Sequence, residues 1–413
     1  MLTRRLTRRK LLAATSASAA LGLIAAVASP SLATAAPLLT AQQASLPPPD
    51  QSGIEHIVLV MMENRSFDHF LGWLPDHDGQ QAGLQYTDAS GASHPTHALA
   101  PDFQGCGFHD PDHSFSGGRV EYNDGQCDGW LRAGTNDLFS IGYYTQPDLP
   151  FLGQIAPSFV TPARYFAAIL GPTFPNRIYA QSAQTDRLSN TSKPSTLPTI
   201  WDRLGDAGVS GAYYYNDLSI LSLWGSKYTA ITLPISNFLQ SAADGSLPAV
   251  AYVDPAFNGG EGTSETDDHP LSDVRDGEAF LNSVYSAVTG GPAWPRTFMI
   301  ITFDEWGGFF DHIPPPVGTV TPAEQALGYT DGLRGFRVPC VVVSPWSQQS
   351  TVTRTVFDHT SILKLIEWRF GLTPLTMRDA QANNLAEVLD FANPRLDVPQ
   401  PQVPAGPFGG TCA

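Results

Sequence analysis

The stretch His56–Gly72 reads H-I-V-L-V-M-M-E-N-R-S-F-D-H-F-L-G. Its apolar run, Ile57–Met62, is short, rich in β-branched residues and polar at both ends, the pattern of a strand buried on both faces of a parallel sheet. The run delivers a carboxylate and a carboxamide side by side, Glu63 and Asn64. In open α/β sheets ligand groups collect just beyond the carboxyl ends of strands, and a Glu-Asn pair there supplies hard oxygen donors for a cation. The plainer alternative is a polar turn in which Asn64 starts a helix.

Further strands are expected at Val209–Tyr215, at Val250–Val253 (ending in Asp254), at Thr297–Phe303 (ending in Asp304-Glu305) and at Val338–Ser344. Helices are expected at Ser66–Leu71, Thr161–Ala168, Thr199–Ala207, Asp276–Val288 and Thr355–Phe370. Strands alternating with helices predict an α/β fold, a three-layer αβα sandwich with a mostly parallel central sheet. Residues 75–150 carry many Gly, Asp, His and aromatic residues without periodicity and read as a loop-rich insertion, and Asn258–Asp276 reads as an acidic, Gly-rich loop.

The chain has 413 residues and a formal net charge of −16. That charge argues against nucleic acid and against electrostatic capture by anionic membranes. The N-terminus carries two Arg pairs, Arg4-Arg5 and Arg8-Arg9, then an Ala-rich apolar run and a small-residue cleavage pattern, Ala33-Thr34-Ala35. It is expected to be a bacterial export signal of twin-arginine type over 1–35, followed by a linker over 36–53. A catalytic domain is expected over 54–392 and a Pro-rich tail over 393–413. No transmembrane segment is expected. Four cysteines in an exported protein suggest two disulfides. Closeness in sequence favours Cys106–Cys127, which leaves Cys340–Cys412.

Asp304 and Glu305 follow four apolar residues, and carboxylates at a buried strand end repel each other unless a cation neutralises them. Gly307-Gly308 would let backbone approach closely. Thr173 stands before Pro175, which suits a first helical turn. A hydroxyl at a helix mouth beside a cation can attack phosphorus, whereas a plain threonine there caps the helix. Asn176 and Arg177 are candidates for phosphate oxygens. His113 in Asp-Pro-Asp-His-Ser, His269 in Asp-Asp-His-Pro and His312 in Phe-Asp-His could each bind a phosphoryl group or protonate a leaving group.

Together these motifs resemble the bacterial and plant phospholipase C and acid phosphatase family, within the alkaline-phosphatase-like superfamily. The matching pieces are His56–Gly72, Asp110–Ser114, Thr173–Arg177, Asp267–Pro270, Thr302–Pro316, Arg337–Trp346 and Phe357–Phe370, spread over most of residues 54–372. The resemblance implies an alkaline-phosphatase-like fold and one divalent metal held by Glu63, Asn64, Asp304 and Glu305. It makes Thr173 the nucleophile, forming a phospho-threonine, and puts His113 and His269 on the phosphoryl group, with His269 assisting the leaving group. Asp268 stands where some members have a second histidine. An oxygen-rich ligand set suits calcium, magnesium or manganese, with zinc also open. Thr173-Phe-Pro-Asn-Arg177 shares its outline with sulfatases, but a threonine cannot form their aldehyde. Where family members have Gly between Pro and His, this chain has Asp112, adding charge expected to disfavour phosphomonoesters. The family's larger phospholipases carry C-terminal β domains that this sequence does not show.

The expected function is therefore a secreted or cell-envelope phospholipase C, cleaving phosphatidylcholine-type lipids to diacylglycerol and a phosphorylated head group during transient contact with a membrane surface. An acid phosphatase or small-phosphodiester hydrolase with the same site is the alternative. A non-catalytic exported binding protein is a remote one, because every expected ligand position is filled. The sequence assigns no oligomeric state.

Overall fold

The computed structural model describes residues 46–258, 265–347, 352–406 and 408–412. The expected export signal, the start of the linker and part of the 258–276 loop lie outside the described residues. The main sheet has six strands: β1 (His56–Met62), β2 (Gly211–Tyr215), β3 (Thr232–Pro234), β4 (Val250–Val253), β5 (Thr297–Phe303) and β6 (Cys340–Val343). They lie in the order β6-β5-β1-β4-β2-β3. The first five are parallel and β6 runs antiparallel to β5. All of β5, and all of β1 after His56, is buried, as continuous apolar runs in a covered parallel sheet must be.

Helices cover both faces. They are α1 (Phe67–Leu71), α2 (Phe115–Tyr122), α3 (Thr173–Ser182), α4 (Ile200–Asp206), α5 (Ile235–Asp244), α6 (Val274–Gly290) and α7 (His359–Phe370), besides shorter turns. Successive strand residues point to opposite faces, and Tyr213 and Tyr214 of β2 show where each helix lies. Tyr213 meets Trp201 of α4 edge-on at 6.2 Å, and Tyr214 meets Phe238 of α5 at 5.3 Å. Tyr252, paired with Tyr213 across the sheet, donates its hydroxyl to the Ala180 carbonyl of α3. So α3 and α4, with α7 packed on α3, form one layer, and α5 with α6 forms the other.

The helix expected at Thr161–Ala168 is absent. That segment is extended, with Tyr165–Phe166 paired in parallel to Phe357–Asp358 and Ala163 N bonded to the Thr353 carbonyl. These long-range pairings outweigh local helical preference. The same strand residues delay α7, which starts only after Asp358, whose carboxylate accepts from Thr360 N at 2.8 Å. Within the region read as loops, α2 forms because Ser114 caps it, accepting from Gly117 N at 3.0 Å.

The disulfide pairing differs from expectation. Cys106 joins Cys412, and Cys127 and Cys340 are free and buried. Cys340 lies in the core strand β6, and Cys127 sits in an aromatic cluster with Trp130 and Phe336. The tail instead folds back along the domain, where Leu396 and Pro399 carbonyls accept from Trp294 and Tyr285.

Candidate functional site

The parallel register brings strand ends together. Met62 pairs with Phe303 and Val60 with Val253, so Glu63, Asp304 and Asp254 emerge at one edge of the sheet. Asp304 N donates to the Met62 carbonyl at 3.0 Å, and Arg65 N to the Glu305 carbonyl at 3.1 Å. The Asp304 carboxylate accepts from Asn64 N (3.2 Å) and Glu305 N (2.7 Å), while Glu305 accepts from Gly307 N (2.7 Å). Asn64 holds a left-handed backbone, φ 62°, a conformation asparagine tolerates better than most residues. Gly307 passes so close that a Cβ there would lie 2.1 Å from the Asn64 carbonyl oxygen.

Arg177 reaches this edge from α3. Its Nε lies 3.2 Å from Glu63 and 3.1 Å from Asp304, its Nη1 3.0 Å from Asp254, and its Nη2 donates to the Met61 and Met62 carbonyls. It is therefore a buried counter-ion, with all three of its nitrogens bonded inside the domain. Asn176 is likewise committed, giving its amide to the Ile169, Gly171 and Pro172 carbonyls and its oxygen to Ile169 N. Both corrections have one cause: helix α3 turns these side chains into the domain.

Three buried carboxylates, Glu63, Asp254 and Asp304, face this single guanidinium, and a fourth buried carboxylate, Glu305, follows Asp304. Burial raises all four, pushing Asp254 up to about 6 against the pull of Arg177. Two buried oxygens at the same place, Asn64 Oδ1 and Glu305 Oε1, have no hydrogen-bond partner. An excess of buried negative charge and two orphaned oxygen donors fit a hard divalent cation. With Arg177 wedged between Glu63 and Asp304, the carboxylates do not draw together as tightly as two neighbouring groups do: Asp110, His113 and His269, and Asp68, Asp311 and His312. The second of these is filled from within. Arg337 donates to both Asp68 and Asp311, and His312 pairs with Asp68 at 2.5 Å. His312, expected on the substrate, is thus part of a buried ion cluster behind α1.

Thr173 is the first residue of α3, whose N-cap is Pro172 with no side-chain capping bond. The capping alternative for Thr173 is therefore excluded. Thr173 lines a cavity of about 350 Å³ with Glu63, Asp267, His269, Glu265 and Asn190, the last accepting from Phe174 N at 2.8 Å. Phe174, Leu218, Ile220, Leu223 and Phe257 form its apolar wall, and no lysine or arginine lines it among the described residues.

His113 and His269 stand with ring centroids 6.1 Å apart. A carbonyl only accepts, so the bonds of His113 Nδ1 to Pro111 O (2.8 Å) and His269 Nδ1 to Pro270 O (3.0 Å) place a proton on Nδ1 in each. His113 Nε2 lies 3.2 Å from Asn64 Nδ2 and 4.0 Å from Glu305. Asn64 thus turns its nitrogen to His113 and its orphaned oxygen away from it. Asp268 is buried under α6, where a Cβ on Gly277 would lie 2.0 Å from its carboxylate, and burial pushes it up to about 8. It does not line the cavity. Asp112 turns its carboxylate onto Ser114 N at the start of α2 and does not line the cavity.

Sequence reasoning assigned no role to Asp254, Asp267, Asn190, Glu265 or the apolar wall. Asp254 did carry a signal, since it follows a buried strand as Glu63 and Asp304 do. Tyr144, Tyr213, Tyr214 and Trp306, whose ring faces could in principle receive a quaternary ammonium, are core residues.

Residues 54–373 match the Phosphoesterase family. Phospholipase C B of Mycobacterium tuberculosis is 32% identical over 97% of this chain and 88% of its own length. Non-specific phospholipase C6 of Arabidopsis thaliana is 29% identical over 87% of this chain and 77% of its own. Among solved structures, a Vibrio parahaemolyticus protein of the alkaline phosphatase superfamily matches at 10% identity over 79% of this chain and 68% of that one, with a TM-score of 0.41. The chain belongs to the phosphoesterase family and is a hydrolase of phosphoric ester bonds.

Proposed function

We propose that the chain is a phospholipase C that cleaves the glycerol–phosphate bond of zwitterionic phospholipids through a phospho-threonine. The observation that carries this reading is Thr173, which caps nothing and opens a ten-residue helix into a cavity shared with Glu63, Asp267 and His269. Glu63, Asn64, Asp304 and Glu305 would hold a divalent cation, calcium, magnesium, manganese or zinc, which supplies Lewis-acid polarisation of the phosphoryl group. Thr173 Oγ1 gives its proton to water and attacks phosphorus, the bond to the diacylglycerol oxygen breaks, and doubly protonated His269 gives that oxygen a proton from Nε2. A second water, losing a proton to the now neutral His269 Nε2, then cleaves the phospho-threonine; Thr173 Oγ1 regains a proton from solvent and the phosphorylated head group leaves. His113 orients the phosphoryl oxygens. The helix α3 N-terminus favours the developing anion.

A cavity lined by Glu63, Glu265 and Asp267 and, among the described residues, by no lysine or arginine repels a doubly charged monoester more than a diester with a cationic head group. That favours the lipase over the acid phosphatase. The Arg pairs and Ala-rich run before residue 35 support export. Turnover of p-nitrophenyl phosphorylcholine and phosphatidylcholine vesicles should exceed that of p-nitrophenyl phosphate. Strong preference for the monoester would assign the chain as a phosphatase instead.

A further inference from the structure

Three segments far apart in sequence are knotted together behind His269. Cys412 N donates to the Leu271 carbonyl (2.9 Å), Asp273 N to the Gly410 carbonyl (3.0 Å), and Gly409 N to the Asp273 carboxylate (2.9 Å). Ser272 and Thr411 form an antiparallel bridge. Gln104 donates its amide to the Gly410 carbonyl at 2.9 Å, and two residues on, Cys106 is bonded to Cys412. Arg275 lies against Phe103 and Phe408, 4.5 and 4.8 Å from their ring centroids. The Ser272 hydroxyl donates to Glu265, on the cavity wall.

The loop held this way is strained. Asp268 and Leu271, on either side of His269, both have left-handed backbone, with φ 73° and 74°. Non-glycine residues keep such conformations only where their surroundings over-determine them. The loop's own bonds, His269 N to Asp267 Oδ1 and Ser272 N to the His269 carbonyl, are short-range. Before His269 the loop is fixed from outside by Arg65 Nε on the Asp268 carbonyl (2.7 Å) and Glu63 N on the Asp267 carbonyl (2.8 Å); after it, the main-chain bonds to Leu271 and Asp273 and the bridge to Ser272 come from residues 410–412.

We propose that residues 408–412, closed by Cys106–Cys412, are a positioning strap that holds His269 at the leaving-group oxygen, so that the disulfide-bonded form is the fully active one. The proposal rests on the role given to His269 above. None of the strap residues lines the cavity. They act through the loop, and the reaction's sensitivity to its leaving group reports them. A p-nitrophenolate needs little protonation, whereas a glycerol alkoxide needs a full proton.

The test compares kcat on a short-chain, monomeric phosphatidylcholine with kcat on p-nitrophenyl phosphorylcholine, below the thermal transition and with saturating cation. In His269→Ala the alkyl-to-aryl ratio should fall about a hundredfold. In Cys412→Ser it should fall about tenfold, the scale expected of a displaced catalytic group. Mild reduction of the folded wild-type protein gives a second measurement that does not depend on the variant's folding. Cys106 is exposed and Cys127 and Cys340 are already free thiols, so reductant acts on this one bond, and reoxidation should restore the ratio. If His269→Ala leaves the ratio unchanged, the role of His269 falls and the strap's purpose with it. If His269→Ala lowers the ratio but reduction and Cys412→Ser do not, the strap proposal alone is overturned.

Discussion

Arg177 is held inside the domain by three carboxylates, and it holds them in turn. Removing a guanidinium from Glu63, Asp254 and Asp304 leaves buried charge uncompensated, which costs about 3–5 kcal/mol where one partner of a buried pair is deleted. Arg177→Met should therefore destabilise the chelated protein by that order in urea denaturation, and saturating divalent cation should recover part of the loss. Equal stability of variant and wild type would show that the carboxylates are neutralised some other way. The sequence placed Arg177 beside Thr173 but not its partners. Asp254 and Asp304 lie 77 and 127 residues further on, and only the strand register brings them to it. Asn176, bonded to the nearby Ile169, Gly171 and Pro172, and His312, paired with Asp68 244 residues earlier, do not line the cavity either. A polar residue in a motif advertises that it makes bonds, while the direction in which it makes them depends on the helix or loop that carries it.

The strand ends were far more legible. Val250–Val253 and Thr297–Phe303 have the bounds that their apolar runs predict, because a strand buried on both faces reads as a nearly continuous apolar run. The acids that end these runs then fall at one edge of the sheet by parallel register alone. Gly307 is the element-scale constraint that lets the two main chains meet there. Its backbone is left-handed, φ 64°, and Asn64 fills the space of a side chain. Gly307→Ala should cost about 1–3 kcal/mol from backbone strain alone and weaken cation affinity measured by calorimetry, since Asn64 must shift. Unchanged affinity would remove Asn64 from the ligand set. Segment 161–168 reads as a helix by local preference, but its partners Thr353 and Phe357 lie nearly two hundred residues away, beyond the reach of any local pattern.

At the scale of the whole molecule, buried acid is the price of the site, and pH reveals it. Glu63, Asp254 and Asp304 titrate higher folded than unfolded. Their contribution to stability is then greatest below pH of about 4 and is lost as the pH rises through their raised values. A bound cation needs the same groups deprotonated. The stability gap between cation-saturated and chelated protein should widen as pH rises from about 5 to about 8, as thermal melts in parallel buffers would show. A gap independent of pH would mean these acids do not bind the cation. The disulfide belongs to this scale too. Cys106 and Cys412 are separated by 306 residues, and closeness in sequence, the rule that favoured Cys127, says nothing of a tail folded back over the domain.

The central claim is that Thr173 carries the phosphoryl group. Acid quenching during turnover of p-nitrophenyl phosphorylcholine, followed by peptide mass spectrometry, measures it most directly. The account predicts one phosphorylcholine adduct on the peptide containing Thr173, absent from Thr173→Ala, with turnover abolished in that variant and cation affinity kept. Turnover persisting in Thr173→Ala, or an adduct on another residue, would contradict it.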